Sequence, residues 1–243
     1  MMQVTEHIWW MPPAKPDRPS VCAVVGDRWT LMLDAGSSRA HTRAFLDELP
    51  ARPSAVLYTH SHWDHVFGGV EVGGLVIAHR RTVPKLTDLA ARDWSDEGLA
   101  DYAYAADIQE ELPSPRVVEI AAADIVFDEQ IDFDLGGVTV HARHVESDHC
   151  DDACIAYVAP DRLLFLGDAL CGGAGDKLTA AVALPLFETV LAYDAEHFVE
   201  GHHPSVATRA EIEELIAKGR AAERGIAPAD DEEAQWYLEA FVH

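Results

Sequence analysis

The sequence predicts an α+β protein of two similar halves, each a β-sheet faced by helices, with the two sheets packed against each other. Three observations lead there. Short apolar, β-branched runs bounded by Gly, Pro and Asp recur in both halves. Helical patterns follow the strands in each half, so the order is strands, helices, strands, helices. At 243 residues with 49% apolar composition the chain can bury a sizeable core, and it carries no internal repeat or low-complexity tract.

The elements follow in order. Residues 20–25 and 29–34 read as strands joined by a hairpin-like turn at Gly26-Asp27. Gly36, Ser37 and Ser38 break that pattern, and Ser38 is placed to cap a helix running through Ala44, Phe45 and Leu49 to Pro50. Residues 55–59 form a short apolar strand ending in histidines, and 75–78 another. Residues 80–105 read as largely helical with a charged outer face, and 107–115 as a loop or lid. In the second half, 117–120, 130–135 and 138–143 have strand character, with Gly136-Gly137 as a turn. Residues 154–158 and 163–166 flank a turn at Pro160-Asp161, and 198–200 is one more short strand. A helix over 208–224 places Ile212, Leu215 and Ile216 on one face, and 230–243 holds a last short helix. The whole of 1–243 reads as one domain, with 80–116 inserted over the pocket and 208–243 as C-terminal helices.

Charge narrows the partners. Eighteen Lys and Arg against 42 Asp and Glu give −24, which repels phosphate backbones and anionic lipid headgroups. The expected partner is therefore a small molecule, with neither nucleic acid nor membrane involved. No apolar stretch is long enough to span a bilayer, and the first residues lack the basic start and apolar core of a secretory leader. Cys22, Cys150, Cys154 and Cys171 are too few and too irregularly placed for a disulfide scaffold, and no second pair completes a structural zinc site with Cys150 and Cys154. Free thiols and a cytoplasmic location are the expectation.

The informative stretch is Thr59-His60-Ser61-His62-Trp63-Asp64-His65, three imidazoles and a carboxylate just after an expected strand. Imidazole nitrogen and carboxylate oxygen are the donors zinc takes when a site stays open for catalysis. His60 and His62 lie two apart and point the same way on extended backbone, so they can grip one ion. Asp64 and His65 lie just past them, where the chain turns, and can face a second.

His-x-His-x-Asp-His at a strand end resembles the signature of the metallo-β-lactamase fold superfamily. Other motifs fall in step: Leu31-Met32-Leu33-Asp34-Ala35-Gly36 as the apolar strand that supports the metal loop, then His149, then Leu163-Leu164-Phe165-Leu166-Gly167-Asp168, then Glu200-Gly201-His202. The resemblance implies a four-layer αβ/βα sandwich of two mixed β-sheets with helices outside. It implies that His60, His62 and His149 bind one metal ion, that Asp64, His65 and His202 bind a second, and that Asp168 bridges them. Two zinc ions per chain are expected, with iron or manganese as alternatives.

The family pattern Gly-His-Thr or Gly-His-Ser is replaced by Glu146-Ser147-Asp148-His149-Cys150, which bears on the shape of that loop more than on the ligand. At the late motif His202 follows the glycine as the pattern requires, and His203 is set aside. His7, His41, His79, His141, His197 and His243 match no ligand position. Cys171 stands near the place where related lactonases carry a tyrosine, which counts against acyl-homoserine lactones, and it reads as a small apolar filler. Trp63, Trp94, Tyr102 and Tyr104 are candidates for the pocket wall, with packing the stronger expectation for each. Flavodiiron relatives differ at His62, and ribonuclease members are disfavoured by the charge.

A water shared by two dications has its pKa lowered from near 16 to about 7, which provides a hydroxide nucleophile at neutral pH. The expected activity is metal-dependent hydrolysis of an ester, thioester, lactone or amide of a small molecule, with Asp64 as the catalytic residue that orients the nucleophile. Two other readings are weighed: a mononuclear iron persulfide dioxygenase, and a non-catalytic metal-binding module. The complete ligand set argues against the second.

Overall fold

The apolar runs assemble into two mixed β-sheets, seen in a computed structural model that describes residues 1–173 and 176–241. The first sheet contains β1 (Met2–Gln3), β2 (Ile8–Met11), β3 (Val21–Val25), β4 (Thr30–Leu33), β5 (Ala55–Leu57), β6 (Leu75–His79) and β7 (Ile125–Phe127), in that spatial order. Pairing is antiparallel from β1 to β4 and parallel from β4 to β7. The second sheet contains β8 (Gln130–Asp134), β9 (Thr139–His144), β10 (Cys154–Ala159), β11 (Leu163–Gly167), β12 (His197–Glu200) and β13 (Ala207–Thr208). Its pairs are antiparallel except β11 with β12.

Strands buried on both faces lose polar alternation but keep their period of two, and the core shows it. In β4, Leu31 and Leu33 point into the core between the sheets while Met32 points to the outer layer. In β11, Leu163 and Phe165 face the inter-sheet core, and Leu164 and Leu166 the opposite side. Each such side chain contributes about 1.5–3 kcal/mol of burial relative to exposure. On the outer face of the first sheet lie α1 (Arg39–Leu46), α2 (Trp63–Val66), α3 (Gly69–Val72), α4 (Thr82–Ala91) and α5 (Ala105–Glu111). On that of the second lie α6 (Ala180–Ala192), α7 (Arg209–Glu223) and α8 (Glu232–Ala240). The result is helices, sheet, sheet, helices. None of the described helices is long and apolar enough to cross a membrane.

The Ser38 cap behaves as the sequence reading expects, its side chain accepting from His41 N, and Thr208 with Glu211 adds a capping box. Several boundaries are corrected. Helix α1 ends at Leu46 rather than at Pro50. The helical reading of 80–105 holds only for α4, because the Asp93 carboxylate takes up the backbone N–H of Ser95 at 2.9 Å and its hydroxyl at 3.0 Å, turning the chain. The stretch read as a loop over 107–115 begins inside α5, which is anchored by buried Ile108. Residues 117–120 are not a strand, and Val117 is 76% exposed. The sheet edge is taken instead by β7, clamped where Val76 N donates to the Asp124 carboxylate at 2.9 Å. Strands β1 and β2 and helix α6, whose second turn contains Pro185, are additions to the sequence reading. The last helix ends at Ala240, and His243 lies outside the described residues.

Candidate metal centre

Both sheets end at one place. Strand β5 leads into Tyr58-Thr59-His60, and its neighbour β4 into Asp34. Asp34 takes φ of 57°, the left-handed region that Asp tolerates better than most residues. In that pose one carboxylate holds the whole metal loop. Its Oδ1 accepts from Thr59 N at 2.7 Å, and its Oδ2 from Thr59 Oγ1 and His65 Nδ1 at 2.8 Å each. Asp64 and His65 fall in the short helix α2, which His62 precedes in extended conformation.

The second sheet delivers the remaining donors. Gly167 closes β11 at φ of 51°, where a Cβ would lie 2.6 Å from Thr59 Oγ1, and Asp168 follows it. Because β12 runs parallel to β11, its end places Gly201 and His202 beside Asp168. A Cβ on Gly201 would sit 1.9 Å from Asp168 Oδ1, so glycine is required by packing. The loop carrying His149 holds its shape without the family's usual sequence. Ser147 Oγ accepts from His149 N at 3.1 Å and donates to Ala169 O at 2.8 Å, while the Asp148 carboxylate accepts from Thr179 N and Oγ1 at 2.9 Å. A main-chain bond joins the halves directly, Cys154 N to Thr59 O at 2.8 Å.

The geometry centres on one oxygen. Asp168 Oδ2 lies 3.2 Å from His65 Nε2, 3.4 Å from His202 Nε2, 3.5 Å from His149 Nε2 and 3.9 Å from His60 Nε2. Asp64 Oδ2 is 3.2 Å from His65 Nε2 and 3.1 Å from His202 Nε2. Asp64, His65, Asp168 and His202 therefore offer donor atoms all within 4.8 Å of one another. On the other side, His60, His149 and Cys150 form a group of the same spacing, and His62 Nδ1 is 2.9 Å from His149 Nε2. All seven residues picked out in the sequence converge here.

Electrostatics divides the imidazoles into two kinds. Burial, with His65 and His62 adding to it, pushes the His60 pKa well down, and burial beside His149 brings His62 to about 4. Both are neutral donors at pH 7. Burial opposes charge on His65 and His202 as well, but the carboxylates of Asp168 and Asp64 outweigh it, raising His65 well above its usual value and His202 to about 10. Burial likewise opposes ionisation of Asp64 and Asp168, and His65 and His202 overcome it, so both stay well below the carboxylate range. Two carboxylates thus gather positive charge at the spot that a cation would take.

The residues fit a dication on a second count. His60 Nε2, His65 Nε2 and Asp168 Oδ1 are buried with no hydrogen-bond partner. Three orphaned polar atoms in one cluster are costly unless something else satisfies them. A nitrogen and oxygen donor set of this kind suits zinc and its neighbours.

A family model described as the metallo-beta-lactamase superfamily matches residues 16–223. The chain belongs to the metallo-beta-lactamase superfamily. No curated protein matches it by sequence. Among solved structures, a metallo-beta-lactamase superfamily protein from Sulfolobus tokodaii aligns at TM-score 0.63 and 18% identity, covering 96% of this chain and 94% of that one. A metallo-beta-lactamase family protein from Thermus thermophilus gives 0.64 and 17%, covering 92% and 82%. A double mutant of the sec-alkyl sulfatase PisA1 gives 0.68 and 14%, covering 97% of this chain but 46% of the other. At these identities the likeness is one of fold.

Within this superfamily fold the centre opens into a cavity of about 490 Å³. Of its lining residues Asp17 adds to the sequence reading, while the sequence offers Tyr104 as a candidate for the wall and reads Cys171 as filler. Asp17, from the segment between β2 and β3, places Oδ1 3.4 Å from His202 Nδ1. Tyr104 lines the mouth with its ring centroid 6.4 Å from that of His62. Cys171, expected as filler, lines the cavity too; burial and then Asp168 hold its thiol pKa well above the usual value. Trp63 and Trp94 pack into the core of the first sheet instead. His203 is exposed and bonds the Ser205 carbonyl at 3.0 Å. Among the other described histidines, His7 pairs with Asp161 at 2.7 Å and His79 stacks on His144 at 4.2 Å. Of Asp17 the local sequence carries no signal, since it reaches the site only through long-range folding, whereas Cys171 follows Asp168 by three residues in the same turn.

Proposed function

We propose that this superfamily member is a dinuclear zinc hydrolase cleaving an ester, thioester, lactone or amide bond of a small molecule. The observation that carries the reading is the placement of Asp168 Oδ2 among four imidazole Nε2 atoms. His60, His62 and His149 would hold one ion, Asp64, His65 and His202 the other, with Asp168 shared. The ions would supply Lewis acidity, lowering the pKa of a coordinated water and polarising a carbonyl oxygen.

The chain's own groups keep those donors aimed. Asp34 accepts from Nδ1 of His65 and the Gly172 carbonyl from that of His149, at 2.8 Å and 3.1 Å, so in each ring Nε2 is the atom that would bind a cation, which on His65 would displace the Nε2 proton. Asp17 faces Nδ1 of His202 in the same sense. Asp64 Oδ2, at the floor of the cavity, is the acceptor positioned to orient an attacking water and hold its proton. Partial burial and the nearby Asp64 carboxylate raise the Tyr104 pKa, so its hydroxyl keeps its proton at neutral pH and can donate to a substrate oxygen.

A charge of −24 supports a small-molecule substrate over nucleic acid or an anionic membrane. Four unpaired cysteines support a cytoplasmic setting. The test is a screen of activated esters, thioesters, lactones, β-lactams and phosphodiesters. The expected result is hydrolysis that chelator abolishes, zinc or manganese restores, and Asp64→Asn lowers by about 100-fold or more with metal retained in part. Oxygen consumption on a persulfide with iron bound, and no hydrolysis of any ester, would overturn the reading.

A further inference from the structure

Cys171 lies in the tight turn that leaves β11, its N–H donating to the Asp168 carbonyl at 2.9 Å. That turn folds the side chain back onto the cavity, where Sγ and donor atoms of His149 and Asp168 all lie within 4.8 Å of one another. A second observation shows that the carboxylate of this group lacks a partner. Asp168 is only 5% exposed, and its Oδ1 has no hydrogen-bond partner. His149 Nδ1 donates to the carbonyl of Gly172, the residue after Cys171, which leaves Nε2, 2.9 Å from His62 Nδ1, as the atom on the cavity side that would bind a cation.

We infer that Cys171 Sγ is a protein ligand to the cation held by His149 and Asp168, making the centre a mixed nitrogen, oxygen and sulfur site. This rests on reading the cluster as a metal centre. On coordination the S–H bond breaks, its proton passes to solvent and the sulfur lone pair binds the ion, with no change of oxidation state. A thiolate is a soft donor, so it shifts preference toward zinc, cobalt and cadmium and away from manganese and magnesium. It also lends electron density to the ion, which moderates its acidity toward a bound water.

Cys150 provides the competing candidate, because its Sγ lies in a group that shares His149 and adds His60 in place of Asp168. The full-length protein is stripped with chelator and reloaded with Co²⁺ alone, and its absorption spectrum is recorded for the wild type, Cys171→Ser, Cys171→Ala and Cys150→Ser. The expected wild-type spectrum combines visible ligand-field bands with a near-ultraviolet thiolate-to-cobalt band. Both Cys171 variants lose the near-ultraviolet band and keep the visible ones, whereas Cys150→Ser keeps both. Visible bands without a near-ultraviolet band in the wild type would overturn the thiolate ligand and leave the metal centre standing. Loss of the band in Cys150→Ser but not in the Cys171 variants would move the sulfur donor to Cys150 and overturn the assignment. A protein that takes up no cobalt and shows no bands would sink both readings together.

Discussion

His202 and His203 adjoin in sequence but meet opposite surroundings. The first has Nε2 within 3.4 Å of two carboxylates, and the second bonds only a neighbouring carbonyl and its own loop. His202→Ala is therefore expected to lose bound metal and nearly all activity, while His203→Ala stays within about twofold of wild type, as exposed substitutions usually do. Metal analysis and a hydrolysis assay on both variants decide it; equal losses would mean that the late motif is read one residue out of place. At this scale the sequence is legible where donors crowd together. His60, His62, Asp64 and His65 announce themselves by density, and Asp168 and His202 by the glycine that each strand end needs. Asp17 is silent for the opposite reason, being a lone residue that folding brings in from a distant segment.

Among the elements, α1 shows how a helix docked near the centre carries its own pH dependence. His41 is 1% exposed, and its Nδ1 accepts from Ser37 N at 3.3 Å, which requires a neutral ring. Burial, with Arg18 nearby, pushes its pKa from 6.5 down to about 4. Below pH 6.5 the unfolded chain takes up a proton that the folded chain refuses, so this residue's contribution to stability is whole above 6.5 and drains away as pH falls toward 4. Wild type should lose up to about 3 kcal/mol relative to His41→Gln across that window, read from urea unfolding at stepped pH. A constant gap between the two would show that His41 titrates normally. Elements were legible where a cap, an apolar helix face or an unbroken apolar run marked them, as with Ser38, Ile212 with Ile216, and β11. They were obscured where a single interaction set the boundary: the turn at Asp93 shortened α4, and the Asp124 clamp rather than strand propensity chose β7. Pro185 hid α6 because an interior proline ordinarily argues against a helix.

The molecule as a whole is two sheets, each drawn from a continuous stretch of chain, with the candidate centre on the seam between them. The first sheet ends at Phe127 and the second begins at Gln130. His60, His62, Asp64 and His65 come from the first part, and His149, Asp168 and His202 from the second. A cation bound across that seam is favoured only in the folded state, so binding energy becomes folding energy. At ligand a thousandfold above its dissociation constant that is about 4 kcal/mol, or on the order of 10 °C in a chain of this size. Thermal unfolding should accordingly fall by about that much in chelator and recover on adding zinc. A midpoint indifferent to both would argue that nothing binds at the seam. The two-sheet architecture was legible from the repeated order of strands and helices, because both faces of each sheet had to be covered.

The same division has a consequence for the order in which the molecule is made. Synthesis runs from the N-terminus, so the whole first sheet and the histidine loop leave the ribosome before any strand of the second. At that stage Asp34 can already brace Thr59 and His65, but the oxygen on which four imidazoles converge has yet to be translated. Capture of an ion by the complete donor set would thus be a late event in the life of each new chain, waiting until His202 has cleared the exit tunnel and settled against Asp64.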